Sequence, residues 1–255
     1  MGKTLIVTKA YTGSQFRNRL LDLMGQKDHW AWTQVIGPSI SKPQLKIHYQ
    51  QEYAVYVRDF PVFLACIHGK NPPLAVRKML AENIFEEDTG QLSLGRSHPD
   101  LFLQMMRGLG FRKKDFDSIA LLPATSRYRG WLDRMSNHPD WMVGAAVMTI
   151  FVEGSVHDRV ELSRPSRPKT AKQIIKKITN HPLVTFHGVP SQAMDLIRAH
   201  QMVEGGHRHD AYAMVVNQAK TRAQQDTILT TLQRTLTLWL RYRDGVARAC
   251  QLTPQ

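Results

Sequence analysis

His200, Glu204 and His207 stand at intervals of four and three residues. On a helix, at about 100° per residue, those intervals put the three side chains within about 60° of one another on one face. Two imidazoles and a carboxylate that converge on one point are half of a metal site. Groups able to complete it lie far upstream: Glu86-Glu87 followed by His98, and Glu153 at the end of the apolar run GAAVMTIFVE. Glu87, His98, Glu153, His200, Glu204 and His207 supply three carboxylates and three imidazoles. That set suits two iron or manganese ions held between facing helices.

Each piece also has a plainer reading. Acidic residues near a helix end are ordinarily solvated, and a His before Pro, as in His98-Pro99, suits a helix start. Glu153 follows a stretch apolar enough for a buried helix, where an unpaired carboxylate is costly; a salt bridge to Arg159 or a nearby lysine is the alternative. His157, one turn on, is a candidate for the same wall. The last segment competes with a simple polar face that includes His209 and Asp210. Gly205 and Gly206 cost roughly 1 kcal/mol each inside a helix, which predicts either a segment ordered by metal binding or a break.

The elements that must position these residues are helices. Apolar positions at threes and fours predict helices over 16–26, 42–68, 73–88, 98–110, 112–119, 126–136, 139–161, 169–179, 190–217 and 223–248, with only LVTF at 183–186 readable as extended. GKNPP, GQLSLGRS, Asn137-His138-Pro139 and SRPSRP punctuate them. No Gly/Ser linker or repeat divides the 255 residues, and the candidate ligands are spread along the chain, so one all-α domain over 1–255 is expected, its core about 16–248, with a long basic connection at 163–189 as a lid or partner surface.

Bulk properties bound the partners. With 42% hydrophobic residues the chain can bury a substantial core, and no run approaches the roughly 18 apolar residues of a membrane span. MGKTLIVTKAYTGSQ lacks a signal-peptide pattern, so a cytoplasmic protein without a membrane association is expected. Cys66 and Cys250 form no CxxC pair, and Cys66 in FPVFLACI is expected to be a buried structural thiol. The net charge of +13 is scattered, densest at Arg164, Arg167, Lys169, Lys172, Lys176 and Lys177. With no nucleic-acid-binding signature, nucleic acid is a disfavoured partner, while an anionic small substrate or acidic partner stays open.

The order Glu…His…Glu…HxxxExxH, with its intervening sequence, resembles the heme-oxygenase-like diiron oxidases and oxygenases, and among them the death-domain-associating para-aminobenzoate synthases. YVRDFPVFLACIH, RKMLAENIFEEDTG and HPDLFLQMMRGLG are similar to their second and third core helices. GAAVMTIFVE is similar to the central Glu-bearing helix, HGVPSQAMDLIRAHQMVEGGHRHDA to the last ligand-bearing helix, and LLDLMGQKDHW to the first. The resemblance spans about Leu20 to Val246. It implies a single heme-oxygenase-like bundle of about seven core helices, with metal ligands at Glu87, His98, Glu153, His200, Glu204 and His207. Two departures stand out: Glu204 occupies a usual Asp position, and the 163–189 connection is longer than typical. The fold also includes the metal-free thiaminase II and pyrroloquinoline-quinone synthases, but this chain keeps all six metal positions.

The resemblance further implies two iron ions, with a manganese–iron pair as the variant, and O2 as co-substrate. Glu153 is the foremost candidate for a bridging, catalytic carboxylate. The implied reaction is oxidation of a small organic substrate, an amino acid or derivative, by N-oxygenation, desaturation or oxidative C–C or C–N cleavage within a biosynthetic pathway. Tyr53, Tyr56, Arg58 and His68 are pocket candidates, with packing as the competing role. The rival functions are a metal-free enzyme of the same fold and a basic adaptor for protein or nucleic acid. A homodimeric assembly stays open.

Overall fold

The computed structural model describes residues 9–164 and 169–254, apart from the side chains at 204 and 205. Arg167 of the basic connection and the side chain of Glu204 therefore lie outside the described residues. In chain order the helices are α1 (Gly13–Met24), α2 (Trp32–Val35), α3 (Lys42–Glu52), α4 (Phe60–His68), α5 (Leu74–Thr89), α6 (His98–Gly108), α7 (Pro123–Ser136), α8 (Trp141–Ala145), α9 (Asp158–Glu161), α10 (Ala171–Thr179), α11 (Pro182–Thr185), α12 (Asp195–Val216) and α13 (Arg222–Ala249). No strand occurs among the described residues, and none of their helices is long and apolar enough to cross a membrane. The all-α class holds.

Local chemistry fixes where the helices begin. Thr12 with Gln15, Thr170 with Gln173 and Thr221 with Gln224 form reciprocal capping boxes at α1, α10 and α13, each satisfying two backbone groups that a helix start leaves open. Ser97 accepts the Asp100 N–H at 3.2 Å, so α6 starts at His98. Between α5 and α6 the chain turns at Gly90, whose φ of 63° lies in the left-handed region. A Cβ there would sit 2.1 Å from the Arg96 carbonyl oxygen, so only glycine fits.

Two apolar clusters flank the ligand-bearing helix. In the first, Ile228, Leu232, Leu236 and Trp239 of α13 pack with Phe16, Leu20 and Met24 of α1, Tyr128 and Leu132 of α7, and the run Ala145–Phe151. In the second, Leu101, Phe102, Met105 and Met106 of α6 pack with Leu45, Tyr53, Ile174, Ile178 and Leu183. Helix α12 touches α6 on one side and the segment after α8 on the other. That crossing turns His200 and His207 towards His98 and Glu153.

Two stretches depart from α-helix into π geometry: Tyr53–Val57 after α3 and Ala146–Val152 after α8. Their backbone bonds reach five residues back, from Arg58 N–H to Tyr53 O at 3.1 Å and from Glu153 N–H to Met148 O at 3.4 Å. Such segments are rare and concentrate at functional sites.

Several expectations need correction. The 42–68 helix is interrupted by the π segment and a turn at Arg58-Asp59, and the 139–161 helix ends at 152 before a short α9. Residues 112–119 contain only a 3-10 turn, Lys113–Phe116, and another, Ser191–Ala193, precedes α12. LVTF is not extended: His181 accepts the Leu183 N–H at 3.2 Å and Pro182 opens α11. Cys66 is half-buried, because it sits on the flank of α4, whereas Cys250 is buried.

Helix α12 runs unbroken through Gly205-Gly206. A Cβ on the exposed Gly206 would meet nothing within 4 Å. Gly206→Ala is therefore expected to stabilise the protein by about 0.5–1 kcal/mol, read as a rise in melting midpoint of about 1–4 °C. If metal binding orders this segment, the gain is larger without iron than with it. A fall in midpoint would show that the helix breaks at the glycine pair in solution.

Candidate metal centre

Six helical segments close on one cavity of about 210 Å³. The first π segment and the start of α4 contribute Tyr56, Val57 and Phe60; α5 and α6 contribute Glu87 and His98; the second π segment contributes Val152, with Glu153 just beyond it; and α12 contributes Leu196, His200, Val203, His207 and Arg208. Five of the six sequence-predicted ligands, Glu87, His98, Glu153, His200 and His207, thus face one space. The sixth, Glu204, is on α12 between His200 and His207, with its side chain outside the description. Its backbone lies on the helical face that the four- and three-residue intervals define.

Of the weaker candidates only Tyr56 reaches the cavity. Tyr53 turns away, its ring stacked 5.3 Å from Phe102 and edge-on to Phe116 at 5.6 Å. Arg58 is exposed and pairs with Asp59 at 2.9 Å. His68 ends α4 away from the lining, and His157 is exposed ahead of α9. None of these four lines the cavity.

His98 is the most constrained group. It is 3% exposed, with Nε2 3.2 Å from Oε1 of Glu86 and Nδ1 2.9 Å from Oε1 of Glu87. The Nδ1 contact lacks hydrogen-bond alignment, leaving a buried polar atom without an aligned partner. Burial lowers the His98 pKa, but Glu87 and then Glu86 raise it by more, above the ordinary histidine value. The His200 ring stands edge-on, 5.0 Å away centroid to centroid. Burial holds His207 below the ordinary value against the pull of Glu87, Glu82, Asp210 and Glu86, which keeps a nitrogen lone pair available at neutral pH.

Glu153 is not paired with Arg159, which instead reaches Asp22 at 2.7 Å. Its Oε1 accepts from Asn83 Nδ2 at 2.8 Å. The backbone around it is held by cations. Lys27 Nζ donates to the carbonyls of Phe151 at 2.6 Å, Val152 at 3.2 Å and Gly154 at 2.6 Å. Arg208 Nη1 donates to the Glu153 carbonyl at 2.9 Å and to Asp158 at 2.8 Å. Burial pushes the Lys27 ammonium down to about 7, with Asp158 opposing; the three carbonyls also oppose, because only the protonated amine has three N–H donors. Four successive carbonyls at the end of the π segment are thereby satisfied.

Do these residues fit metal ions? Among the described residues no three His, Cys, Asp or Glu side chains are grouped so as to hold an ion. The donor chemistry nevertheless fits. Carboxylates and imidazoles share one cavity, and Glu87 approaches His98 Nδ1 to 2.9 Å without hydrogen-bond alignment. Buried His98 Nδ1 is the orphaned atom that such a cation would satisfy.

Several of these groups carry no ligand-like spacing in the sequence: Asn83, Glu86, Lys27 and Arg208. The spacing of Asn83, Glu86 and Glu87, at three and four residues, is the one signal that could have grouped the first two with the site.

Comparison with known proteins gives a consistent picture. A family described as iron-containing redox enzyme matches residues 47–240. A 4-aminobenzoate synthase of Chlamydia pneumoniae is 22% identical over 201 residues, covering 78% of this chain and 80% of the relative. Among solved structures, a heme-oxygenase-like domain from Shewanella denitrificans OS217 aligns with TM-score 0.63 at 17% identity, covering 94% of this chain and 90% of that one. A TenA homolog from Pseudomonas syringae pv. tomato DC3000 aligns with TM-score 0.59 at 14% identity, covering 96% and 100%. The fold is heme-oxygenase-like, in agreement with the resemblance read from the motif order.

Proposed function

The chain belongs to the iron-containing redox enzyme family, and from that membership we propose that it is a non-heme diiron oxidase or oxygenase that uses O2 on a small organic substrate. The observation that carries this reading is the convergence of Glu87, His98, Glu153, His200 and His207 on one cavity. With Glu204 they are the residues that would hold two iron ions, or a manganese–iron pair. Iron held there would supply electrons for O2 activation.

The chain's own groups prepare that chemistry. Carboxylates favour the ferric state and imidazoles set geometry. Val57, Phe60, Val152, Leu196 and Val203 form an apolar wall that limits water around the reacting groups. Lys27 and Arg208 fix the backbone on either side of Glu153 and so fix where its carboxylate enters. Tyr56 donates its hydroxyl to Glu52, which holds the phenol ring against the cavity wall.

The cavity, at about 210 Å³, is smaller than the roughly 300–1,000 Å³ of sites for drug-sized ligands. Its size supports a small amino acid or a derivative as substrate. The name of the Chlamydia relative adds 4-aminobenzoate to the products worth measuring.

Anaerobic loading with Fe(II), followed by an O2-uptake and mass-spectrometric screen over amino acids and fatty acids, tests the reading. About two iron ions per chain and uptake coupled to one substrate are expected. Iron below about one per chain, with no uptake for any substrate, overturns it. Activity that survives chelation would favour a metal-free reaction in the same cavity.

A further inference from the structure

Beside Glu87, α5 carries Asn83 and Glu86, two buried side chains with no part in the ligand set. Glu86 is 0% exposed. Its Oε2 accepts the Leu92 N–H at 2.8 Å, and its Oε1 accepts the Ser93 hydroxyl and lies 3.2 Å from His98 Nε2. No lysine or arginine among the described residues pairs with it. The ion-pair partner of this buried carboxylate is His98, so Glu86 ties the imidazole to the 92–93 turn.

An ionised carboxylate only accepts hydrogen bonds. Glu86 is locked by the 92–93 turn, and that turn is locked by Gly90. Glu87, the other carboxylate on His98, retains 13% side-chain exposure and no comparable anchors. The aligned contact of the imidazole is the one from Nε2 to the anchored Glu86, while Nδ1, on the Glu87 side, has no aligned partner.

We propose that Glu86 is a positioning residue: it holds His98 in the Nε2–H tautomer and thereby presents Nδ1 to the cavity as the metal-binding nitrogen. Asn83 plays the parallel part for Glu153 by donating Nδ2 to Oε1 at 2.8 Å. Both assignments rest on the diiron reading of the site, but the tautomer itself is a property of the polypeptide. A metal-ligating imidazole that donates its other N–H to a carboxylate is oriented and made more basic.

The test uses the full chain, its Glu86→Ala and Glu86→Gln variants, and Zn(II) as a diamagnetic probe, read by ring 15N NMR and by titration. In the Zn(II)-loaded wild type, His98 Nε2 is expected to carry the proton and Nδ1 the metal. Glu86→Ala is expected to lose roughly 10–100-fold in Zn(II) affinity. Glu86→Gln, which retains one acceptor oxygen, is expected to recover most of that loss. If Glu86→Ala fails to fold, Glu86→Gln still carries the tautomer measurement.

A wild-type spectrum with Nδ1 protonated and Nε2 on the metal overturns the proposal. So does a Glu86→Ala affinity within about threefold of wild type. If the wild type binds neither zinc nor iron, the diiron reading fails separately. The metal-free ring in its neutral form then decides the tautomer, Nε2–H supporting the proposal and Nδ1–H overturning it.

Discussion

Glu153→Ala is expected to yield a folded protein that no longer retains iron. The backbone around residue 153 is held by other side chains. Lys27 holds the carbonyls of Phe151, Val152 and Gly154, and Arg208 holds that of Glu153 itself. The substitution deprives Asn83 Nδ2 of its acceptor, a cost of about 1–3 kcal/mol. The change in melting midpoint is then below about 12 °C. It also removes a carboxylate from the cavity that Glu87, His98, His200 and His207 line. Loss of an outer-shell partner costs metal sites roughly 10–100-fold, so if Glu153 is a ligand, as the diiron reading proposes, its loss is expected to exceed about 100-fold in iron affinity and to abolish O2 uptake. Iron per chain after anaerobic loading and desalting reads the effect. His157→Ala and Arg58→Ala, outside the cavity, should match wild type. A Glu153→Ala protein with undiminished iron would remove this residue from the centre.

What the sequence made legible was what spacing encodes. His200, Glu204 and His207 repeat at the helical period, so their shared face could be read directly. Tertiary choices were less legible. Glu86 and Glu87 are adjacent, about 100° apart on a helix, and composition does not say which faces the cavity; Glu87 does, while Glu86 turns into the α5–α6 turn. The two π segments were invisible, because widening a helix by one residue leaves no mark on residue type. That widening is one reason Tyr53 and Tyr56 diverge, one to the Phe102–Phe116 cluster and one to the cavity.

The supporting cations were missed for a different reason. Lys27 and Arg208 bond to backbone carbonyls, and a carbonyl has no sequence signature. Their partners lie more than 50 residues away in the chain. Conversely, Arg159 is near enough in sequence to suggest pairing with Glu153, yet the chain turns out of helix between them and delivers it to Asp22. The sign that LVTF is helical was present in His181-Pro182, a cap followed by a proline at the first helical position, but the β-branched and aromatic residues drew the reading the other way.

The largest stability effect is expected at Arg243, buried to 4% exposure where α13 passes the end of α3. Its guanidinium donates to Glu52 and lies 3.8 Å from the Trp32 ring centroid. Glu52 also accepts from Tyr242 at 2.5 Å and from Tyr56, the cavity-lining tyrosine. Arg243→Met preserves much of the volume but leaves the Glu52 carboxylate without a cation. Breaking one side of a buried pair costs about 3–5 kcal/mol, a fall in midpoint of about 6–20 °C for a chain of this size. The pH dependence identifies the cause. In the wild type, burial is the largest single influence on the Glu52 pKa and raises it, but Arg243 first, with His48, Tyr242 and Tyr56, together lower it by more, leaving it below the ordinary 4.5. The stability from that shift is present above 4.5 and is lost as pH falls through the folded-state value. In Arg243→Met, burial acts without the guanidinium and raises the carboxyl instead. Stability present with the acid neutral is then lost as pH rises through the raised value. The gap between the two proteins should therefore narrow as pH falls from about 7 to about 4, because groups common to both cancel in the difference. Urea melts across that range measure it. A gap that stays constant would mean that Arg243 stabilises the bundle by packing on Trp32 and Trp239 rather than through its charge on Glu52.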